Sequence, residues 1–498
     1  MQKSYYDFMN EIDSNEIYEK LVRYGIFSDK IPDFLEMESF WNYCINKKHN
    51  FEMKQYDSMK FESVRNNFIP RVLGIPTPMA HEMLCKCISD NWEEIKNKFK
   101  ENTEKDKYKV SRIHVRKMHK KKSLFEMNYN NYKIDGTPEI EILIGKKFLV
   151  KTDISTCFPS MYTHGLGWAL VGKEIAKQTM QDESKWYNKL DKCTRNEKYR
   201  ETHGFIIGPH TSNILSEIIL TDVDKKLIEL GYEYIRNIDD YACYIQDENE
   251  AKKFIEDLSK ALREYDLLLN HKKTRIIKLP ISAENEWVRR LNSFQFNDKE
   301  IKFSTVRAYL DMAIELTEKF EDAAILKYAI KVINKKQLTK NAENYFIKTI
   351  FHYSLIYQYL IPILDKEIFD KYPILDNDVE DIINRIYKIG IKDCNYEAVM
   401  FGLYYAIKKG INLKDIDVQD LLTQENCLVP LLGYMYFNKN TANKKIIKDY
   451  ARKLLNLKEM DRNWLFIYEV LPASELVGDW KALKKKKVTF IKSIELKK

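Results

Sequence analysis

The 498-residue sequence predicts an α+β domain followed by an all-α helical-repeat region, and three observations carry that expectation. Glycine (15) and proline (12) are scarce, which favours long helices over a many-stranded sandwich. Strand-like apolar runs cluster in the middle of the chain, at residues 140–144, 147–153 and 232–245. Beyond about residue 300 helical periodicity takes over, with no strong strand signal from about 305 to 470.

The elements follow in order. Residues 1–62 read as short helices, with Leu21, Val22 and Tyr24 before Gly25, and Phe34, Leu35, Phe40 and Trp41 after Pro32. Pro70, Pro76, Pro78 and Gly74 then fix an extended, turn-bearing segment. Met79, Met83, Leu84, Cys87 and Ile88 share one face of the helix that follows. After the two strand-like runs at 140–144 and 147–153 come a helix over 211–230, a hairpin over 232–245 and a helix over 250–265, the last with Phe254, Leu258, Leu262 and Tyr265 on one face. Later helices are marked by Val306, Tyr309, Leu310 and Ala313, by Ile325, Tyr328, Ala329 and Val332, and by Ile382, Ile383, Ile386 and Tyr387. Paired helices without a sequence repeat suit a degenerate solenoid or an irregular bundle. At roughly 100–200 residues per domain the chain holds two or three domains. The expected divisions are 1–62, 63–290 and 291–498, the second falling where polar residues thicken between Pro280 and Asp298.

Composition excludes several classes. Hydrophobic residues at 44% and charged residues at 31% fit a soluble globular protein. No run approaches the roughly 18 apolar residues of a membrane span. The start, Met1-Gln2-Lys3-Ser4-Tyr5-Tyr6-Asp7, lacks the apolar core of a signal peptide, so a cytoplasmic protein with no membrane partner is expected. The eight cysteines show no CxxC spacing and read as reduced, buried thiols.

The net charge of +8 is unevenly spread. Residues 105–122 hold nine Lys/Arg against Asp106, and residues 481–498 hold eight Lys against Glu495. Such blocks suit a polyanion; a solvated face or a tail explains either block taken alone equally well.

Two short segments carry the chemistry. In the first, the apolar run Phe148-Leu149-Val150-Lys151-Thr152 ends at Asp153 and turns into Ser155-Thr156-Cys157-Phe158, which delivers a carboxylate to the rim of a sheet. In the second, two β-prone arms flank Asp239-Asp240, the only Asp-Asp pair in the chain, and a hairpin would set both at its apex. Gathered carboxylates repel unless a cation sits between them. Oxygen ligands without histidine or thiolate suit Mg²⁺ or Mn²⁺, and two such ions about 3.5–4 Å apart clamp in-line phosphoryl transfer. Alone, an Asp-Asp turn is commonly just a turn and an Asp after a strand commonly a helix cap. The order, spacing and flanks of the two segments together lift them above that reading.

At these residues the chain resembles reverse transcriptases. Lys151-Thr152-Asp153-Ile154-Ser155-Thr156-Cys157-Phe158 is similar to their first palm motif, with Phe158 at the position that screens the nucleotide sugar. Gly204 to Glu217, with Gly208 in its turn, resembles the second motif, which lies against the incoming base and template. Asn237-Ile238-Asp239-Asp240 matches the catalytic box, and Leu267 to Thr274 resembles the next motif, whose Lys273 lies near the triphosphate. The resemblance covers roughly residues 65–280 and implies reverse transcriptase-like fingers and palm followed by an all-α helical-repeat domain. It implies two Mg²⁺ or Mn²⁺ ions held by Asp153, Ile154, Asp239 and Asp240, catalysis by the three aspartates, and nucleotide contacts from Phe158, Gly208 and Lys273. Arg112 and Arg116 lie where the fingers contact the triphosphate, and a planar guanidinium fork favours them over the neighbouring lysines.

Two departures stand out. Asn237 replaces the aromatic that usually opens the box, and Ile207-Gly208-Pro209 lacks the glutamine that usually helps hold a template. With the long helical extension, the chain most resembles the abortive-infection (Abi), AbiK-like group of prophage-encoded reverse transcriptase-like polymerases, among its smaller members. That resemblance implies a nucleotidyltransferase that polymerises dNTPs without a template in antiphage defence. It also implies a single-stranded DNA product attached to a protein tyrosine, and homo-oligomers. Tyr5, Tyr6, Tyr18, Tyr24, Tyr43 and Tyr56 suit priming if the first 60 residues move. Two alternatives stay open: a defence reverse transcriptase copying a noncoding RNA, and a catalytically inactive nucleic-acid-binding scaffold.

Overall fold

In the computed structural model, which describes residues 3–46, 51–64, 70–112, 115–117, 124, 136–423, 425–492 and 494, the extended segments form two antiparallel sheets. Strands β1 (Met59–Ser63) and β2 (Arg71–Ile75) pair with each other. Strands β3 (Phe148–Asp153), β4 (Tyr234–Asn237), β5 (Asp240–Ile245) and β6 (Arg275–Lys278) form the second sheet in the order β4–β5–β3–β6. β3 is hydrogen-bonded on both sides, by β5 along its whole length and by β6 from Phe148 to Lys151.

Helices cover this sheet for readable reasons. The helix Glu248–Arg263 starts at Asp247, whose carboxylate accepts from the amides of Asn249 and Glu250. It lays Ala251, Phe254, Leu258 and Leu262 against β3 and β5. Each large apolar side chain buried in this way contributes about 1.5–3 kcal/mol. The helix His210–Glu229 is buried on nearly every face, because it packs against both Glu248–Arg263 and the helix Trp92–Thr103. In the C-terminal half helices such as Phe303–Phe320, Ala324–Ile333, Asp376–Lys392 and Tyr396–Lys409 stack on their sequence neighbours. At Gly390 a Cβ would meet the Val399 amide at 2.8 Å, so a glycine is what lets Asp376–Lys392 and Tyr396–Lys409 approach. Among the described residues no strand lies between 305 and 470, and no helix is long and apolar enough to cross a membrane.

The helical half closes back on the rest of the chain. Glu397 accepts from Ser63 Oγ at 2.9 Å and from the Val64 amide at 2.7 Å, so it ties the β1–β2 pair to Tyr396–Lys409. Leu35 and Ile491 form an antiparallel bridge, and the Lys492 amide donates to the Phe34 carbonyl at 3.0 Å. The buried apolar side chains form one continuous cluster from Tyr5 to Phe490.

Three expectations are corrected. Residues 140–144, read as a strand, belong instead to the short helix Pro138–Ile142 and its exit. Pro138 pre-sets the helical φ, and only Pro138 and Ile142, four apart, are buried, while Ile140 and Ile144 are exposed. The basic block at 105–122 is not one free polycationic face. Lys105 pairs with Glu229 at 3.0 Å, Lys117 with Glu16 at 2.9 Å, and the buried Lys109 lies over the Phe8 ring at 4.8 Å. Lys120, Lys121 and Lys122 lie outside the described residues. The lysine run at 484–487 is not wholly solvated either, since Lys484 donates to the Tyr468 carbonyl at 2.6 Å and pairs with Glu469 at 3.6 Å.

His210 opens the helix His210–Glu229, and burial pushes its pKa down to about 4, with Asp29 pulling it up and His81 pushing it further down. A histidine held neutral in the fold takes up its proton more readily when unfolded. The stability it contributes is therefore whole above about pH 6.5 and lost as the pH falls toward 4. Unfolding free energies of wild type and His210→Gln from urea titrations, compared across that window, should diverge by at most ~1.4 kcal/mol per pH unit, with the variant less acid-sensitive.

Candidate active site

β3 ends at Asp153 and β5 begins at Asp240, and their antiparallel register sets these two residues directly opposite each other. Opposed residues share a face, with Cβ atoms about 4.5–5.5 Å apart. Asp239 precedes Asp240 in the two-residue turn after β4, and its carbonyl accepts from the Ile154 amide at 3.1 Å. Where the sequence placed both aspartates at the apex, only Asp239 is in the turn; Asp240 is already the first residue of β5. The other flank of Asp153 is closed by the Asn270 amide, which donates to its carbonyl at 2.9 Å. The end of β3, the turn and the start of β5 thus bring the three acids to a single rim.

The electrostatics follow. Burial pushes the carboxyl of Asp239 above the usual carboxylate range, and the charge of Asp153 adds to it; Lys273 and Arg71 pull the other way. Burial and the charge of Asp239 push Asp240 up, again against Lys273. Lys273 Nζ sits 2.6 Å from Asp153 Oδ2, while Asp153 Oδ1 is buried with no hydrogen-bond partner. Asp153 itself is only 4% exposed. Among the described residues no group of three or more His, Cys, Asp or Glu side chains is gathered closely enough to hold a metal ion. The crowding of oxygen donors and the orphaned Asp153 oxygen fit a hard divalent cation.

The other expected residues fall at several distances from this rim. Ile154 is buried beside Asp153 and bridges to Leu269. Phe158 is half-buried just beyond, and its carbonyl accepts from the Phe205 amide at 2.8 Å. Gly208 has a φ of +137°, and a Cβ there would meet the Gly74 carbonyl at 3.0 Å. The Gly74 amide also donates to the Ile207 carbonyl at 2.9 Å, so the turn before His210–Glu229 is pinned to β2. Arg112 flanks the β4–β5 hairpin, because residues 110–112 run along β4: the Arg112 amide donates to the Arg236 carbonyl at 2.8 Å and the Arg236 amide to the Val110 carbonyl at 2.9 Å. Its guanidinium is buried and gives one hydrogen bond, to the Gly136 carbonyl at 2.9 Å, while Nε and Nη1 have no partner among the described residues. Arg116 is likewise buried.

Sequence reasoning missed two arginines. Arg71, on β2, reaches Asp239 electrostatically. Arg236, two residues before the turn, is fully buried and paired with Glu217 at 2.7 Å and with Asp224 at 2.6 Å. The available signal was a lone charge inside the apolar run Tyr234-Ile235-Arg236, which a buried strand tolerates only with partners. The tyrosines singled out for priming are mostly committed. Tyr5 donates to Glu217 and Tyr18 to Glu82, and Tyr43 and Tyr56 are buried.

Residues 85–306, which include all three aspartates, match the family model described as reverse transcriptase (RNA-dependent DNA polymerase). Two solved structures are similar at 10% identity. Apo telomerase from Candida tropicalis has a TM-score of 0.33 over 83% of this chain and 71% of that one. Telomerase from Candida albicans in complex with a TWJ fragment of telomeric RNA has a TM-score of 0.28 over 83% and 69%. No curated protein matches the sequence.

The geometry at Gly208 makes a direct prediction. Gly208→Ala combines an unfavourable φ with a carbonyl at 3.0 Å, and should cost roughly 1–3 kcal/mol of stability by chemical denaturation. A neutral result would mean that the turn and β2 can part without penalty.

Proposed function

With a reverse transcriptase domain at residues 85–306 as the premise, we propose that the chain is an active DNA polymerase of the reverse transcriptase type, a nucleotidyltransferase that uses dNTPs. The observation that carries this reading is the register of β3 and β5, which opposes Asp153 to Asp240 and puts Asp239 beside them. In this reading Asp153, Asp239 and Asp240, with Ile154 beside the first, hold two Mg²⁺ or Mn²⁺ ions. When bound, the ions supply the positive charge that activates the attacking hydroxyl and steadies the leaving pyrophosphate. Arg112, with two unpartnered nitrogens, and Arg116 contact the triphosphate. Lys273, now on Asp153, exchanges that carboxylate for phosphate oxygens when nucleotide arrives. Phe158 screens the sugar and Gly208 lets the backbone turn close to the base. Residues 63–290 form the fingers and palm in this proposal, residues 1–62 an N-terminal helical segment and 291–498 the helical domain.

The finer reading is an abortive-infection polymerase, protein-primed and untemplated, acting in antiphage defence as a homo-oligomer. Support comes from the missing template glutamine near Gly208 and from the long helical extension. Copying of a noncoding RNA is the competing outcome. The deciding experiment incubates the protein with Mg²⁺ and each dNTP without template, followed by denaturing gels with and without protease and RNase. Protease-sensitive retention of DNA supports protein priming, synthesis abolished by RNase supports copying of RNA, and no incorporation under any condition supports an inactive scaffold.

Asp239→Asn should abolish incorporation while leaving the melting temperature close to wild type; full activity in that variant rejects the metal assignment. Phe158→Ala should raise ribonucleotide incorporation relative to deoxynucleotide, measured as the ratio of kcat/KM values. An unchanged ratio removes Phe158 from sugar discrimination.

A further inference from the structure

The turn that carries Asp239 is strained. It has two residues, Ile238 and Asp239, and Ile238 has a φ of +57°. Such a turn favours glycine at its first position, and a β-branched residue there is an outlier that persists only when its surroundings hold it. The holder is visible. Arg236 Nη1 donates to the Ile238 carbonyl at 2.8 Å from a side chain that is 0% exposed.

Every donor of that guanidinium is spoken for. Nε bonds both oxygens of Asp224, at 3.1 and 2.9 Å. Nη1 bonds Glu217 at 2.7 Å as well as the turn, and Nη2 bonds Glu217 at 3.2 Å and Asp224 at 2.6 Å. Both carboxyl groups come from the central helix His210–Glu229, which cannot shift without moving the core. One guanidinium against two buried carboxyl groups leaves an excess of acceptors, and neutral donors fill it: Tyr234 to Asp224 at 2.8 Å, and Ser111 and Tyr5 to Glu217 at 2.9 and 3.0 Å. Tyr5 belongs to the N-terminal helix Tyr5–Asn10, outside the stretch 85–306.

We propose that Arg236, clamped by Glu217 and Asp224, holds the Asp239 turn in its strained shape, and that Tyr5 extends this clamp to the N-terminal helix. Tyr5, outside the matched stretch, thereby acts as a positioning residue for nucleotidyl transfer. The inference rests on the polymerase reading above. Its physical content is that the fork of Arg236 fixes the height of the Ile238 carbonyl and so the direction of the next side chain, Asp239. A lysine keeps the charge but cannot reach two carboxyl groups and a carbonyl in one plane.

Steady-state dNTP incorporation by the full chain tests it. Arg236→Lys should lower kcat at least tenfold while KM for dNTP stays within about threefold. Tyr5→Phe, which keeps the ring stacked on Phe99, should lower kcat severalfold with the same split and a folded far-UV spectrum. Adding Ile238→Gly to either variant should restore much of kcat, because glycine adopts the positive φ without a clamp. A role in folding alone would lower the melting temperature of Arg236→Lys and leave kcat per folded molecule, and its response to Ile238→Gly, unmoved; that result overturns the proposal. Wild-type kcat in Tyr5→Phe overturns its N-terminal extension, which remains measurable even where Arg236→Lys does not fold. An inactive wild-type protein would instead reject the polymerase reading, so the two failures are distinguishable.

Discussion

The antiparallel register between β3 and β5 is the constraint on which the candidate site depends. Asp153 and Asp240 face each other because Phe148 pairs with Ile245 five residues away, and every pair between follows. A slip of one residue would turn Asp153, and Lys151 with it, to the opposite face. The register is secured by the apolar run that buries Leu149 and Val150, and by β6 on the other flank. Hydrophobic packing therefore places the charges, and the charges, which repel, contribute nothing to gathering themselves.

Beneath the rim lies the opposite arrangement, in which burial of charge is satisfied almost completely. Arg236 and its two carboxyl partners are enclosed, with tyrosine and serine hydroxyls supplying the remaining donors. Breaking one member of such a group leaves the others buried and unpaired, which is costlier than the pair's own net contribution. The site thus combines an orphaned oxygen on Asp153 with a guanidinium, that of Arg236, whose every donor is paired.

The three aspartates were legible in the sequence because their signals are local: an apolar strand ending in an acid, and a unique Asp-Asp pair between β-prone arms. The helix Glu248–Arg263 was legible from periodicity, and the helix His210–Glu229 was expected over 211–230. Residues 1–62 read as short helices, and β1 (Met59–Ser63) was missed there, because its five alternating residues beside a polar stretch make a weak signal. What could not be read was anything set by distant pairing. Arg236 finds Glu217 and Asp224 only once a helix is laid across the sheet, and Lys109 and Lys484 look solvated until Phe8 and Glu469 fold against them. Residues 140–144 misled because Ile and Glu alternating over so short a run satisfy a strand's period and a helix turn's spacing alike.

The bridge between Leu35 and Ile491 has a mechanical consequence. It fastens the far end of the helical half to the N-terminal segment, while β6 and the helix Glu286–Ser293 connect its near end to the palm sheet. An arm anchored at both extremities cannot swing about a single joint. Any movement of the helical half away from the sheet that carries Asp153 must bend the helical stack along its length or unzip the stitch at Ile491.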